Sequence, residues 1–349
     1  MIALASFAKI NLGLQIGPRR PDGFHELRTI YQTLAIHDVI RVGLRPGSGI
    51  ELRCDDARVP LDNSNTCYKI AERVLEAAAR GLELANDNVT PAAGLKAPAT
   101  KVIIEIEKSL PVQGGLGAAS SNGVATMLAL ERALGIELTP AEKVRIAAEV
   151  GSDLPLFLIG GTVLGVGHGE EVHPLPDLPT THVVVVTPSV GVSTPRAFAR
   201  WDEFVLNEVA LTASRAAGTI NEFSERVFTC LSKSFPQAEN GSASGVPAAG
   251  GDRAETPLLD LVRAGIENDF ERVVFPEYPD LREVKELLLR EGAHYASLSG
   301  SGSSLYGLFA SEAEALGAAD RMSAAGYHAI PTTTLTRAEY WEGLARDSE

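Results

Sequence analysis

Residues 102–134 read VIIEIEKSLPVQGGLGAASSNGVATMLALERAL, and this stretch is the most informative about the fold of the chain. Val102–Ile106 is β-branched at almost every position, which predicts a strand. Ser120–Leu134 is apolar and rich in alanine, which is typical of a helix. Between them lies Leu110–Asn122, a loop that contains three glycines. A strand, a glycine-rich loop and a helix in this order indicate a mixed α/β fold.

The glycine-rich loop has the composition of a phosphate-binding site. Gly114, Gly115 and Gly117 allow tight turns and a close approach of the backbone to a ligand. The small residues after them open the helix, whose first N–H groups lack partners within the helix and can bind an anion. A plain strand-to-helix turn would have the same composition, so this stretch alone leaves both interpretations open.

Two known phosphate-binding motifs do not fit this loop. A Walker loop would end in Gly-Lys followed by Ser or Thr, and the chain has no such triplet. Gly115–Ser120 approaches the dinucleotide-binding fingerprint, but serine stands in the place of the third glycine. A second predicted helix follows the first, where that fingerprint requires a parallel strand with an acidic residue. The pattern therefore argues against a Rossmann fold.

A second loop of small residues, SGSGSS at 299–304, lies between two predicted strands. Its glycines and hydroxyl groups are compatible with a phosphate site and with a simple hairpin turn. The presence of two such loops in one chain favours the phosphate site.

The remaining elements fall into two groups. Further strands are predicted at Ile2–Gly17, Leu34–Leu44, Ile50–Cys54, Thr162–Val166, Val183–Val186, Tyr295–Leu298, Leu305–Phe309 and Ala329–Thr334. Further helices are predicted at Cys67–Leu84, after the capping boxes at Thr139 and Ser311, at Pro257–Phe275 and at Leu281–Glu291. We place a domain boundary near Gly160–Gly161, which gives domains of residues 1–160 and 161–349. Residues 236–256 are rich in Gly, Ala and Ser and are predicted to form a flexible surface insertion without chemistry.

Charge and cysteine content narrow the class of protein. The 349 residues include 31 Lys and Arg against 45 Asp and Glu, a formal charge of -14. This balance argues against binding to nucleic acid or to an anionic membrane, since both need a basic surface. The three cysteines fit neither a disulfide framework nor a zinc site, and they are consistent with a cytoplasmic protein. The sequence leaves open whether the chain is a monomer or a homodimer.

Five motifs, in the expected order, resemble those of the GHMP kinases, which include galactokinase, homoserine kinase and mevalonate kinase. They are ASFAKINL at 5–12, RRPDGFHEL at 19–27, the loop 110–122, GSDLP at 151–155 and LSGSGSS at 298–304. The second is similar to the signature of one branch, whose acceptor carries a cytidine diphosphate group. The resemblance implies an N-terminal domain like domain 2 of ribosomal protein S5, a C-terminal ferredoxin-like domain, and catalysis between them.

The resemblance also implies roles for single residues. Lys9 and Asn11 alternate with apolar neighbours, so both project from one face of the first strand. A lysine in so apolar a segment needs a compensating charge, and Asp153 is the partner and catalytic base that the resemblance supplies. ATP would be bound by the glycine-rich loop, through residues Pro111, Val112, Gln113, Gly114, Gly115, Leu116, Gly117, Ala118, Ala119, Ser120 and Ser121. The third-motif loop would contribute Gly300, Ser301 and Gly302.

On the acceptor side, the resemblance places a cytosine between two aromatic rings. Phe24 and Phe198 match those positions, and Phe24 stands where tyrosine is more usual in this branch. His25 would read the edge of the base, with Asn11 and Thr194 nearby. The other histidines show no metal-binding spacing and are interpreted as ordinary polar residues.

ATP and Mg²⁺ are the expected cofactors, and the sequence offers no clear carboxylate for the metal. Ser120 or Ser121 is a candidate metal-side ligand. The main rivals are a GHMP kinase acting on homoserine or a mevalonate derivative, and an inactive relative with a regulatory role. The segment Pro21–His25 and Phe198 argue against the first rival because those acceptors carry no base to stack. The presence of both Lys9 and Asp153 argues against the second.

Overall fold

The computed structural model describes residues 1–86, 100–112, 114–209 and 266–344. Within these ranges the strands are β1 (Ile2–Arg19), β2 (His25–Pro46), β3 (Ile50–Cys54), β4 (Thr100–Glu107), β5 (Thr162–Val166), β6 (Glu171–Pro174), β7 (His182–Val186), β8 (Tyr295–Leu298), β9 (Leu305–Phe309) and β10 (Ala329–Thr333). The helices are α1 (Thr66–Asn86), α2 (Ala118–Leu134), α3 (Pro140–Val150), α4 (Thr194–Val209), α5 (Glu271–Glu277), α6 (Pro279–Arg290), α7 (Glu312–Ala324) and α8 (Arg337–Leu344). A short 3₁₀ turn covers Pro155–Leu158.

The first sheet has six strands. Its order is β3-β4-β2-β5-β6, with β1 paired along β2 as well. All pairs are antiparallel except β3 and β4. The helices α1 and α2 pack against each other, and α2 contacts β1 and β2. A core of buried aliphatic side chains fills the space between this sheet and the helices.

The second sheet has four antiparallel strands in the order β10-β7-β9-β8. Two of its strands follow one another directly as a hairpin, and helices connect the others. The helices α6 and α7 contact the sheet and bury a second core against it. This strand order and succession are those of a ferredoxin-like fold, as the sequence predicts.

Strand β1 of the first sheet also contacts the second sheet. A third core places Ile10 and Leu12 of β1 against Val183 and Val185 of β7. The hydroxyl of Tyr306 in β9 donates to the carbonyl of Asn11 over 2.9 Å. The two layers therefore meet along β1, and the polar residues of that strand lie at their junction.

Most predicted elements are confirmed within one or two residues, and the capping box at Thr139 and Glu142 is present. The predicted strand at Leu34–Leu44 is part of a longer one that begins at His25. Strand β6 and the helices α4 and α8 were not predicted. The predicted insertion at 236–256 and the start of the predicted helix Pro257–Phe275 lie outside the described residues. Within them, that prediction is wrong for residues 266–270, since α5 begins only at Glu271.

The domain boundary near Gly160–Gly161 stays a prediction. Both β5 and β6 follow it in the chain but pair within the first sheet. Near the C-terminal end, Tyr340 of α8 packs on Phe7 of β1 with 5.4 Å between ring centroids.

No helix within the described ranges is long and apolar enough to cross a membrane.

A half-buried carboxylate beside β1, that of Asp269, gives a prediction about stability. Burial raises the pKa of Asp269 to about 6, although its Oδ2 accepts a 2.9 Å hydrogen bond from Ile16 N and Arg272 lies nearby. Since the pKa is raised in the folded state, the ionised carboxylate destabilises the protein above that pH. Asp269→Asn keeps an oxygen acceptor for Ile16 and should raise the free energy of unfolding at pH 7 by about 1–3 kcal/mol.

Denaturant unfolding measured from pH 4 to pH 8 checks this expectation. The increase in the free energy of unfolding should shrink as the pH falls from 6 to 4, because wild-type Asp269 becomes protonated over this range. Asp320→Asn on the exposed face of α7 removes the same charge from the surface and serves as the control. A gain that is independent of pH would show that burial of the charge is not its cause.

Candidate active site

Two pockets meet at the glycine-rich loop. The larger has a volume of about 690 Å³ and is lined by residues of β1, β2, α4 and the loop before the 3₁₀ turn. The smaller has a volume of about 340 Å³ and lies between the glycine-rich loop and residues 58–67. Gly115 lines both pockets. A ligand in each pocket would therefore approach the other at this residue.

Lys9 lines the larger pocket beside the glycine-rich loop, with its ammonium group buried. The side chain is 3 % exposed, and its Nζ lies 3.3 Å from Asp153 Oδ2. It also donates to Asn11 Oδ1 over 2.7 Å, and the Asn11 amide donates in turn to Thr29 Oγ1 over 2.7 Å. The structure thus brings together the lysine and the aspartate that the sequence pairs. Asn11 contacts the ammonium group directly, so it positions Lys9.

Asp153 has a second partner that the sequence analysis missed. The hydroxyl of Tyr31 donates to Asp153 Oδ1 over 3.0 Å, and the ring of Tyr31 lies 5.5 Å from Lys9 Nζ. Burial, reinforced by the Asp153 charge, raises the pKa of Tyr31 well above its usual value, so the phenol keeps its proton and acts as a donor. Tyr31 stands opposite Asn11 in the β1–β2 pairing. Only the register of that pairing could have identified it.

The glycine-rich loop is shaped by close contacts that only glycine permits. Gly115 and Gly117 have φ of 77° and 70°. A Cβ at Gly115 would lie 2.2 Å from the Ser299 carbonyl oxygen, and one at Gly117 would lie 2.9 Å from the Lys9 side chain. The backbone N–H of Lys9 donates to Leu116 O over 2.9 Å. The loop is therefore held against both β1 and the third-motif loop.

The two predicted small-residue loops contact each other. Ser299 Oγ donates to Gly115 O over 2.9 Å, and Ser304 N donates to Gly114 O over 3.0 Å. Asn268 supports the third-motif loop by donating to Leu298 O and Gly300 O, both over 2.8 Å. The loop places Gly300 and Ser301 on the wall of the larger pocket. Gly302 does not line that wall, and its N–H donates to Ser299 O over 3.0 Å within the loop.

At the start of α2, the serines differ in accessibility. Ser121 is buried and its Oγ accepts a 2.8 Å hydrogen bond from Ser6 Oγ, whereas Ser120 is half-buried and lines the smaller pocket. The same pocket is lined by Pro111, Val112, Ala118 and Ala119. Gln113 lies outside the described residues.

A buried carboxylate that the sequence did not reveal anchors the loop and the helix. Asp38 is fully buried and accepts hydrogen bonds from the Lys108 ammonium group, from Ser109 N and Leu110 N over 2.8 and 2.7 Å, and from Asn122 Nδ2 over 3.0 Å. The residues before the loop and those after it are thus bonded to one side chain. Asp38 therefore fixes the distance between the two ends of the loop.

Gly115→Ala tests the importance of the loop contact. The new methyl group clashes with the Ser299 carbonyl, so the loop must shift, and we expect the Michaelis constant for ATP to rise about tenfold or more. Gly135→Ala is the matched control, because Gly135 has a φ of 66° and a Cβ added there would meet no atom within 4 Å. It should lower the free energy of unfolding by about 1 kcal/mol and leave ATP affinity unchanged. Equal ATP affinities in both variants would contradict the assignment of the loop.

One part of the larger pocket is aromatic. Phe24 is 57 % exposed, and its ring lies 4.9 Å from that of His168. Phe198 is half-buried, and it stacks on His25 at 5.2 Å and packs edge-on to Phe270 at 4.9 Å. Both phenylalanines line the larger pocket, and their hold on the two sides of a base stays a prediction.

His25 is more constrained than predicted. Its Nδ1 lies 3.1 Å from the Gly17 carbonyl oxygen, and its Nε2 lies 3.1 Å from Asp202 Oδ1. Both ring nitrogens therefore already have partners, and the reading of a base by the ring stays a prediction. Thr194 Oγ1 lies 2.7 Å from Ser301 Oγ, which links the start of α4 to the third-motif loop.

No group of three or more His, Cys, Asp and Glu side chains in the described ranges could hold a metal ion. Mg²⁺ in phosphoryl-transfer sites is usually held by one or two protein groups and by the substrate phosphates. Ser120 at the start of α2, half-buried and on the wall of the smaller pocket, offers one hydroxyl group of that kind.

Known proteins resemble this chain in sequence and in fold. Family models described as GHMP kinases N terminal domain and GHMP kinases C terminal match residues 65–161 and 255–328. A relative from Solibacter usitatus, named 4-diphosphocytidyl-2-C-methyl-D-erythritol kinase, is 33 % identical over 88 % of this chain and 80 % of its own length. A relative of the same name from Moorella thermoacetica is 31 % identical over 96 % of this chain and 99 % of its own length.

Solved structures of known kinases also resemble this chain in fold. A crystal structure of 4-(cytidine 5'-diphospho)-2C-methyl-D-erythritol kinase has a TM-score of 0.65 and 26 % identity, covering 95 % of this chain and 99 % of that one. The Leishmania major mevalonate kinase, solved in complex with R-mevalonate, has a TM-score of 0.66 at 14 % identity, covering 96 % of each chain, and shares the fold.

Proposed function

The chain belongs to the GHMP kinases, in the branch of the 4-diphosphocytidyl-2-C-methyl-D-erythritol kinases, and we propose that its joined pockets transfer the γ-phosphoryl group of ATP to that compound. The acceptor is the 2-hydroxyl group, and the products are the 2-phosphate and ADP. The reaction is a step of the non-mevalonate route to isoprenoid precursors.

The observation that carries this proposal is the Lys9–Asp153 pair on the wall of the larger pocket, which meets the smaller pocket at Gly115. The carboxylate is 33 % exposed, so one face remains open to a substrate hydroxyl group. As that oxygen attacks the γ-phosphorus, Asp153 accepts its proton. Lys9 pairs with the carboxylate and orients it, and Tyr31 donates a hydrogen bond to its second oxygen.

On the nucleotide side, the glycine-rich loop and the start of α2 supply backbone N–H groups to the triphosphate of ATP. The helix dipole adds to this attraction. Mg²⁺, when bound with ATP, would neutralise phosphate charge and keep the γ-phosphoryl group in line for attack. Ser120 is the side chain of α2 that is free to face it, since the hydroxyl group of Ser121 is bonded to Ser6.

On the acceptor side, Phe24 and Phe198 are proposed to hold the cytosine between their rings. Stacking of a base on one aromatic ring contributes about 1–3 kcal/mol. His25 and Asp202 form the polar edge of this part of the pocket, and Thr194 lies beside it. The odd number and wide spacing of the three cysteines support a cytoplasmic location.

A coupled ADP-release assay with three acceptors tests the proposed function. The cytidine diphosphate derivative should give turnover, while homoserine and mevalonate should give none above background. Phosphorus NMR of the product should show a new phosphomonoester at the 2-position. Turnover with homoserine or mevalonate instead would assign the chain to another branch, and no turnover with any acceptor would indicate a binding protein.

A further inference from the structure

His168 lies in the larger pocket, although its sequence position gives no sign of a function. It occupies the turn between β5 and β6, and its ring lies 4.9 Å from that of Phe24. Its Nδ1 lies 2.8 Å from Ser152 Oγ, and Ser152 directly precedes Asp153. The imidazole is thus located between the aromatic side chain proposed to stack on the base and the residue next to the catalytic aspartate.

The contacts of the ring determine which nitrogen is available to a ligand. Nδ1 also lies 3.1 Å from Glu170 Oε2. With Ser152 Oγ at 2.8 Å and Glu170 Oε2 beside it, Nδ1 faces two protein groups. The backbone N–H of His168 donates to the same oxygen over 2.7 Å, which fixes the turn. Nε2 has no hydrogen-bond partner among the described residues, and the ring lines the pocket.

Two carboxylates, those of Glu170 and Asp22, lie near the imidazole of His168. Glu170 pairs with Nδ1, and the imidazole lies close enough to Asp22 to contribute to the lowered pKa of that carboxyl, whose main cause is the hydrogen bond from Phe24 N. An imidazolium has a second N–H, on Nε2, and a charge-assisted hydrogen bond to a phosphate oxygen is stronger than a neutral one.

We infer that His168 binds the diphosphate group of the acceptor through Nε2. This rests on the proposed function, because that acceptor joins its cytidine to its methylerythritol part by a diphosphate. The base lies at Phe24 and the reacting hydroxyl group at Asp153, so the diphosphate must pass between them. His168 is a specificity-determining residue in this arrangement, since it distinguishes acceptors that carry the diphosphate from those that do not.

Calorimetric binding of cytidine and of cytidine diphosphate tests the inference without turnover. Wild-type protein should bind the diphosphate about tenfold more tightly or better, as expected for a charge-assisted contact. His168→Asn keeps a donor near the position of Nδ1 but has no group at the position of Nε2, so this preference should fall to about threefold or less. His168→Gln places an amide near Nε2 and should retain most of it. Cytidine should bind all these proteins with affinities within about twofold.

Two control variants isolate the effect. His173→Asn makes the same change at an exposed position of β6, outside the pocket, and should bind both ligands like the wild type. Arg19→Gln removes a further cation that lines the pocket. If it abolishes the preference while His168→Asn keeps it, the inference is wrong. It is also overturned if His168→Asn weakens both ligands equally, which would indicate a structural role. Failure of the wild type to bind either ligand would instead contradict the proposed function.

Discussion

Asp153→Asn should lower the turnover number by about 10²- to 10⁴-fold, because the amide cannot accept the proton of the attacking hydroxyl group. The substitution is nearly isosteric, and the oxygen of the amide can still accept the hydrogen bond from Tyr31. Binding of ATP should be preserved, since the smaller pocket is not lined by Asp153. Steady-state kinetics at saturating concentrations of both substrates measures the effect.

The environment of Lys9 calls for a stability measurement in parallel. Loss of the carboxylate leaves a buried ammonium group with only Asn11 as a hydrogen-bond acceptor, which lowers the free energy of unfolding. Thermal unfolding therefore establishes that the variant is folded before its rate is interpreted. Tyr31→Phe is the comparison variant, because it removes a donor to the same carboxylate but leaves the base. It should reduce the turnover number by about tenfold or less. Turnover near the wild-type rate in a folded Asp153→Asn protein would exclude Asp153 as the base.

The parts of this site that the sequence predicted are those encoded within short segments. The glycine-rich loop follows a strongly β-branched strand and opens a helix, and these local patterns determine its position. Likewise, the alternation of Lys9 and Asn11 with apolar residues places both on one face of a strand. A buried lysine requires a counter-charge, and the family resemblance identified Asp153 as that charge.

The residues that were missed depend on pairings across long stretches of chain. Tyr31 reaches Asp153 only because β1 and β2 pair in one register, and that register is interrupted by irregularities at Phe7/Ala8 and Asn11/Gly13. Asp38 bonds to groups more than 70 residues away. His168 meets Phe24 only after β5 has paired with β2. A single sequence contains no local signal for such contacts.

Phe24→Ala should raise the Michaelis constant for the acceptor by about 5- to 150-fold, with little change in that for ATP. The ring is mostly exposed and belongs to none of the described hydrophobic cores, so its removal should leave the melting temperature almost unchanged. Phe24→Tyr retains the aromatic face and should behave like the wild type. A normal acceptor constant in Phe24→Ala would exclude the ring from the base site.

Phe198 needs a different design, because its ring serves both the pocket and the core. It packs against the second core and meets Phe270 edge-on at 4.9 Å, so Phe198→Ala should lower the melting temperature as well as acceptor affinity. Phe198→Leu retains most of the apolar volume but removes the aromatic face. It should keep near-normal stability and still raise the acceptor constant by about fivefold or more, while the ATP constant stays unchanged.

The double variant Phe24→Ala with Phe198→Leu then tests whether both rings hold one base. Two rings that sandwich the same cytosine act on one ligand group, so their effects should not multiply. Once the first ring is lost, the base is less fixed against the second, and the combined rise should fall short of the product of the two single rises. Fully multiplicative effects would place the rings on separate parts of the acceptor. An unchanged acceptor constant in Phe198→Leu, together with a destabilised Phe198→Ala, would assign Phe198 to the core alone and leave Phe24 as the only stacking surface for the cytosine.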